Sequence, residues 1–222
     1  MTRLRLHLQP QNRPGKLVVF TGLKGTGKST IAQRLVEHLT RAGVAAVHLK
    51  QHTREFYDYP IFARYAADTD TVTTGEVDIT GLTLISLGDT VQQMRTVVEP
   101  LLEAGSWVLL DRYLMDQVAG FPQFSSSAAD LAVVRAVAER LPRPDAAFFI
   151  TVDARTAIQR VEQRGRGDAS LTYDSALYDR SNELFAEFAA ANDWTILSGE
   201  QSLDALFAAV AAGLPPAART VG

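Results

Sequence analysis

Eight consecutive residues, Gly22-Leu23-Lys24-Gly25-Thr26-Gly27-Lys28-Ser29, restrict this chain more than any other stretch. They follow the apolar run Leu17-Val18-Val19-Phe20 and precede a helix-patterned segment from Thr30 to about Ala42. Glycines at 22, 25 and 27 let the backbone curl so that successive N–H groups point inward. Backed by a helix N-terminus, those amides make an anion cradle. The pattern G-x-x-x-x-G-K-S/T between a strand and a helix is that of a phosphate-binding loop. In such a loop Lys28 reaches the β- and γ-phosphates and the Ser29 hydroxyl holds Mg²⁺. Gly22, Lys24, Gly25, Thr26, Gly27, Lys28, Ser29 and Thr30 are therefore the candidate ATP-binding residues. The plainer reading, a glycine-rich turn with no ligand, is disfavoured by the strand before it and the helix after it.

The rest of the chain alternates strands with helices. After the first strand (17–20), Ile31, Leu35, Val36 and Leu39 give the first helix a buried face, and Gly43 stops it. Val44 to Leu49 is a second, nearly all-apolar strand, as buried parallel strands are. Lys50 to Pro60 reads as a loop at its carboxyl end, the place where open α/β sheets bind ligands. A helical piece spans about 61–67, and 68–78 reads as a loop. Leu84, Leu87, Val91, Met94, Val98 and Leu101 predict a long helix over 82–102, with Pro100 near its end. Trp107 to Leu110 is a third strand closing on Asp111. A carboxylate there, beside a phosphate loop, serves Mg²⁺ or its waters, although such an Asp is often only a turn former. Helices are expected over 127–141, 153–163, 175–191 and 203–212, with strands at 146–152 and 194–197. On the 175–191 helix, Leu177, Leu184, Phe185 and Phe188 are placed inward. The expected fold is α/β, a five-stranded parallel sheet covered by helices on both faces.

At 222 residues, 46% hydrophobic and 21% charged, the chain can bury a full core as one domain over 16–214. Residues 1–15 read either as an added edge strand, from the alternation at 3–8, or as a frayed tail; 215–222 read as a C-terminal tail. With no cysteine, disulfides and thiolate chemistry are excluded. A net charge of −3 gives no sign of a nucleic-acid-binding body. No apolar run approaches the roughly 18 residues of a membrane span, and no signal-peptide core is seen at the N-terminus. A cytoplasmic location is consistent with these features.

Several separated blocks resemble the thymidylate kinase branch of the nucleoside monophosphate kinases. They are the phosphate loop from Phe20 to Thr30; Gly88-Asp89-Thr90-Val91-Gln92-Gln93-Met94-Arg95 with Val98-Glu99-Pro100-Leu101-Leu102; Trp107-Val108-Leu109-Leu110-Asp111-Arg112-Tyr113; Arg143-Pro144-Asp145 before a strand; and Arg160 and Arg164 with the glycines beyond. The resemblance implies a kinase that uses ATP and Mg²⁺, with a short lid at about 160–174. It implies Ser29 and Asp111 at the metal, and Lys28, Arg112, Arg160 and Arg164 as catalytic residues, with Arg166 a further lid candidate. Arginine suits the task because its planar fork binds phosphate bidentately and spreads charge over the equatorial oxygens. A homodimer through the helix around 84–98 is also implied, though an apolar face there equally serves a core.

The chain departs from the family pattern on the acceptor side. Lys24 stands where the family has a carboxylate, Thr90 where a base-reading arginine falls, Asp116 where a serine follows Asp-Arg-Tyr, and Ala119-Gly120-Phe121 where Ala-Tyr-Gln follows. A Glu-Pro-Gly turn after the second strand is replaced near Gln51, His52, Thr53 and Arg54. Candidates for lining the altered acceptor site are His52, Arg54, Tyr57, Arg64, Asp89, Thr90, Gln93, Arg112 and Asp116. The expected reaction moves the γ-phosphoryl group of ATP to a nucleoside monophosphate other than, or in addition to, dTMP. A kinase of a non-nucleotide metabolite and a catalytically inactive nucleotide-binding regulator are the alternatives.

Overall fold

The structure, a computed structural model, describes residues 4–163 and 175–216. The expected sheet is present. Strands β1 (Lys16–Thr21), β2 (Ala46–Lys50), β3 (Trp107–Asp111), β4 (Ala146–Thr151) and β5 (Thr195–Ser198) are all parallel, in the order β2-β3-β1-β4-β5. The helices are α1 (Lys28–Arg41), α2 (Arg54–Tyr57), α3 (Pro60–Ala67), α4 (Asp70–Thr73), α5 (Ile79–Gln93), α6 (Glu99–Glu103), α7 (Met115–Val118), α8 (Ala128–Ala138), α9 (Ala154–Gln163), α10 (Ser175–Ala191) and α11 (Leu203–Ala212). Among the described residues no helix is long and apolar enough to cross a membrane. Residues 164–174, which include Arg164 and Arg166 of the expected lid, lie outside the described residues.

β1 is central because both its faces are apolar. Leu17 and Val19 enter a core built with α5, α8 and α10. Val18 and Phe20 enter a second core with Ile31, Leu35 and Leu39 of α1 and Leu206 and Val210 of α11. Each such side chain, fully buried, contributes about 1.5–3 kcal/mol. Asp145, in the lead-in to β4, pins the start of β1: its carboxylate accepts from the Leu17 amide at 2.8 Å and from Lys16 Nζ at 3.2 Å.

Three stretches differ from the sequence reading. The long helix runs from Ile79 to Glu103 but contains a π-helical turn over Met94–Val98. There the Glu99 amide bonds the Met94 carbonyl, five residues back. Pro100 has no N–H to continue the α-ladder and its ring crowds the preceding turn, so the helix widens just before it. On α10 the inward stripe is Tyr178, Ser181, Phe185 and Phe188, whereas Leu177 is 40% exposed. The 50–60 and 68–78 segments each hold a single helical turn, α2 and α4. They are held by a small cluster of Phe56, Val77 and Leu82.

Residues 4–9 form an anchored arm rather than a sixth strand. Its one β-bridge joins Gln9 to Pro142. Leu6 is buried, and Leu4 and Leu8 pack on the same core. The Asn192 side chain bonds both ends of this segment, accepting from the Leu6 amide at 2.8 Å and donating to the Leu4 carbonyl at 2.9 Å. Arg135 adds a bond to the Arg5 carbonyl at 2.6 Å. Replacing Asn192 by Ala removes the two arm bonds and leaves part-buried backbone groups unpaired. The expected loss is roughly 1–3 kcal/mol, read from the urea midpoint.

Candidate active site

The phosphate loop is built by exclusion of side chains. Gly25 and Gly27 are left-handed, at φ 84° and 92°. A Cβ on Gly25 would lie 2.7 Å from the Ala157 carbonyl oxygen of α9, and one on Gly22 would lie 2.3 Å from that of Ile150. Gly27 is the N-cap of α1 and supplies no side chain to cap it, and the first turn carries no acidic residue. The amides of that turn are thus left for an anion. Lys28 is folded into the loop, Nζ 3.3 Å from the Leu23 carbonyl, which also accepts from the Thr26 hydroxyl at 3.0 Å. Lys24 and Thr30 lie at the loop's surface, half-exposed and exposed respectively.

The β1–β3 register pairs Phe20 with Asp111 and so sets the candidate metal pair, Ser29 and Asp111. The Ser29 hydroxyl donates to Asp111 Oδ2 at 2.5 Å. Asp111 Oδ1 is buried and has no hydrogen-bond partner. A hydroxyl beside an anionic oxygen with a free coordination direction fits Mg²⁺, which binds few protein oxygens and keeps water and phosphate as its other ligands. Arg112 follows with φ 72°, a left-handed value rare for a side-chain-bearing residue. Its amide donates to the Phe20 carbonyl at 2.7 Å. Its guanidinium meets Asp116 Oδ1 at 2.5 Å, while Asp116 Oδ2 is buried without a partner. Tyr113 is fully buried and its hydroxyl donates to the Pro142 carbonyl at 2.8 Å, so its place in the motif is structural.

Arg160, expected to close over the transferring group, bonds backbone carbonyls beside the loop. Its guanidinium donates to the carbonyls of Gly25 at 3.3 Å and Gly199 at 3.0 Å. It clamps the loop to the turn after β5, where a Cβ on Gly199 would lie 2.6 Å from the Thr26 carbonyl. Tyr178 closes the other flank, its hydroxyl 3.4 Å from the Lys24 carbonyl. Burial raises this phenol's pKa, so it stays protonated and donates.

On the acceptor side His52, Asp89, Thr90, Arg112 and Asp116 come together. Asp89 accepts from the Thr53 amide at 3.0 Å, the Thr53 hydroxyl at 2.5 Å and His52 Nδ1 at 3.1 Å. Burial lowers the His52 pKa, with the Asp89 hydrogen bond opposing it, and the ring is neutral near pH 7. The ring stacks on Phe56 at 4.1 Å and meets Tyr57 edge-on. Burial raises the pKa of Tyr57 and of Tyr65, with the Arg112 and Asp116 charges as smaller influences. Thr90 departs from the expectation that it lines an open site. It is 1% exposed, donating to the Ser86 carbonyl at 2.9 Å and accepting from Gln51. Gln93 is half-buried one turn beyond Asp89, and Arg64 is exposed on α3. Arg54 faces solvent, 3.7 Å from Asp58.

Ser86 and Gln117 were missed in the sequence, and Gln51 was noted without a role. Ser86 bonds His52 Nε2 and Gln117, and Gln51 bonds Tyr113 and Thr90. Ser86, Asp89, Thr90 and Gln93 recur at spacings of three, one and three. That is a polar stripe along one face of the helix and was the available signal.

The family model described as "Thymidylate kinase" matches residues 20–210. The chain is similar to the thymidylate kinase of Akkermansia muciniphila, 30% identical over 158 residues, covering 71% of this chain and 72% of that relative. It is 26% identical over 198 residues to that of Vibrio vulnificus, covering 86% and 91%. The thymidylate kinase of Leptospira borgpetersenii is 29% identical over 149 residues, covering 66% and 68%. A cradle for polyphosphate, a hydroxyl–carboxylate pair for its metal and a family match across nearly the whole sheet converge on one assignment: the chain belongs to the thymidylate kinase family, as a P-loop kinase that works with ATP and Mg²⁺.

Proposed function

We propose that this kinase moves the γ-phosphoryl group of ATP to the phosphate of a nucleoside monophosphate other than, or in addition to, dTMP. The observation that carries the donor half is the placement of Lys28, Ser29, Asp111 and Arg112 at the joined ends of β1 and β3. Mg²⁺, when bound at Ser29 and Asp111, neutralises and orients phosphate oxygens. Lys28 exchanges the Leu23 carbonyl for phosphate, and the loop amides hold the polyphosphate in line with the acceptor. Arg112, turned toward the site by its left-handed backbone, exchanges Asp116 for the acceptor phosphate. Transfer through a loose transition state asks for this positioning and positive charge rather than for a covalent partner. Arg160 keeps the loop's shape from behind. Arg164, four residues further along the sequence, is the proposed closing cation.

The acceptor half supports the altered substrate. Thr90 carries no charge and its hydroxyl is saturated inside the protein, so it cannot read a base as an arginine would. Asp116 adds a carboxylate beside Arg112. A homodimer is part of this proposal. Val97 and Val133 are 40% and 49% exposed along the helices of the α5–α8 face, and Val133 lines a groove between Arg95 and Arg140. A cytoplasmic site of action, suited to a chain without cysteine, is also part of it.

An ATP-consumption assay across nucleoside monophosphates tests the proposal; absence of turnover with any of them overturns it. Lys28→Ala is expected to lower turnover with every acceptor by at least about 100-fold while the protein stays folded. Asp111→Asn is expected to shift the Mg²⁺ dependence of turnover upward by about tenfold, since one anionic ligand is lost. Direct Mg²⁺·ATP titration by calorimetry should show the same weakening.

A further inference from the structure

The C=O of one residue and the N–H of the next share a trans peptide plane and point in opposite directions. A donor that takes the carbonyl therefore also aims the amide that follows it. Two successive units of the phosphate loop are held in this way. The Lys24 carbonyl accepts from the Tyr178 hydroxyl at 3.4 Å, and the Gly25 carbonyl accepts from the Arg160 guanidinium at 3.3 Å. The amides at the other ends of those planes are Gly25 N–H and Thr26 N–H. Arg160 stands on α9 and Tyr178 on α10, so both amides are aimed away from that pair of helices. Neighbouring carbonyls of an extended chain alternate in direction. The left-handed φ of 84° at Gly25 instead lets two successive planes face the same way, the arrangement that gathers N–H groups into an anion nest.

Among the described residues neither amide has a hydrogen-bond partner, so both remain as donors for an anion. The groups behind them are fixed. Tyr178 is 1% exposed, and its ring packs with Leu23 of the loop, Val152 after β4, and Ala154 and Ala157 of α9. Arg160 is anchored by its second bond, to the Gly199 carbonyl at 3.0 Å. Ala157 closes on Gly25 from the same helix as Arg160, near enough to exclude a Cβ there. A glycine has few forbidden backbone angles, so the planes on either side of Gly25 turn easily unless something outside holds them. Here two helices hold both.

We propose that Tyr178 is a positioning residue for the donor phosphates: with Arg160 it turns the Lys24–Gly25 and Gly25–Thr26 peptide planes so that two successive amides face the polyphosphate of ATP. This deepens the donor half of the reading above and holds for any acceptor. A hydrogen bond from an amide to a charged oxygen is about twice as strong as one between neutral groups. Much of that advantage is lost when the amide must first be reoriented, and a dipole already aimed needs no reorganisation when the phosphate arrives. Tyr178 acts through the backbone and touches no phosphate itself. Phenylalanine in its place keeps the ring's packing and removes only the hydroxyl.

The test compares the wild type with Tyr178→Phe. Calorimetric titration with Mg²⁺·ATP reads affinity and stoichiometry, and amide NMR spectra follow the Gly25 and Thr26 resonances. The variant is expected to bind Mg²⁺·ATP about tenfold more weakly at unchanged stoichiometry. The two amide resonances, carried downfield in the wild type when Mg²⁺·ATP binds, should move distinctly less in the variant. A purely structural role would lower the fraction of competent protein, hence the stoichiometry, and leave the dissociation constant unmoved. An unchanged dissociation constant overturns the proposal. So does weaker binding with wild-type amide shifts, because the effect would then not run through these two peptide planes. No binding of Mg²⁺·ATP by the wild type overturns the donor-site reading itself, and this one with it.

Discussion

The bond from the Arg112 amide to the Phe20 carbonyl, 2.7 Å long, is the constraint on which the site depends. It extends the β1–β3 ladder one residue past the Phe20–Asp111 pair. Because of it the end of β3 cannot leave β1 until Asp111 lies beside Ser29 and Arg112 has turned left-handed. That backbone conformation costs on the order of 1–3 kcal/mol in a side-chain-bearing residue and persists only when its surroundings over-determine it. They do so here from both sides. The ladder holds the amide, and the next residue, Tyr113, is buried with its hydroxyl on the Pro142 carbonyl. A buried tyrosine thus holds the backbone next to Arg112, and the candidate metal pair and candidate acceptor cation are set by one register.

The two halves of the site are made of different material. The donor half is made of backbone. Gly22 approaches Ile150, Gly25 approaches Ala157 and Gly199 approaches Thr26, each too closely for a Cβ, and Arg160 bridges carbonyls of two of these segments. Backbone geometry of this kind tolerates few residue types, so it leaves a strong mark on sequence. The acceptor half is made of side chains reaching across from the β2 loop, α5 and α7. Such contacts can be rewritten residue by residue without moving a strand. The family resemblance is accordingly carried around Lys28 and Asp111, and the proposed departures from it are Thr90 and Asp116.

The same division decides what could be read in advance. The strands were legible because both their faces are buried, which leaves uninterrupted apolar runs such as Leu17–Phe20 and Trp107–Leu110. The loop and the Ser29–Asp111 pair were legible because spacing and a strand end encode them. The π-turn before Pro100 was not, since proline signals a break without saying how the helix absorbs it. Leu177 and Tyr178 were exchanged because one helical step of 100° decides which of two apolar neighbours faces in. Gln51 and Gln117 were out of reach for another reason. Their roles lie in pairings 31 to 62 residues apart, and a lone glutamine carries no local trace of such a partner.

The candidate phosphate-site cations Lys28 and Arg112, and Arg160 beside the loop, all have protein oxygens as partners. Lys28 is on the Leu23 carbonyl, Arg112 on Asp116 and Arg160 on two backbone carbonyls. Ligand binding is then an exchange of partners rather than a capture by bare charge. An exchange gains less affinity from charge alone, since each departing oxygen was already a good acceptor. What decides occupancy is whether the ligand satisfies the groups that lose their partner. Asp116 is the sharpest case: a phosphate that takes Arg112 leaves both its oxygens, one already unpaired, in need of donors. In the proposed exchange, a ligand donor that reaches Asp116 therefore adds to what a phosphate gains at Arg112.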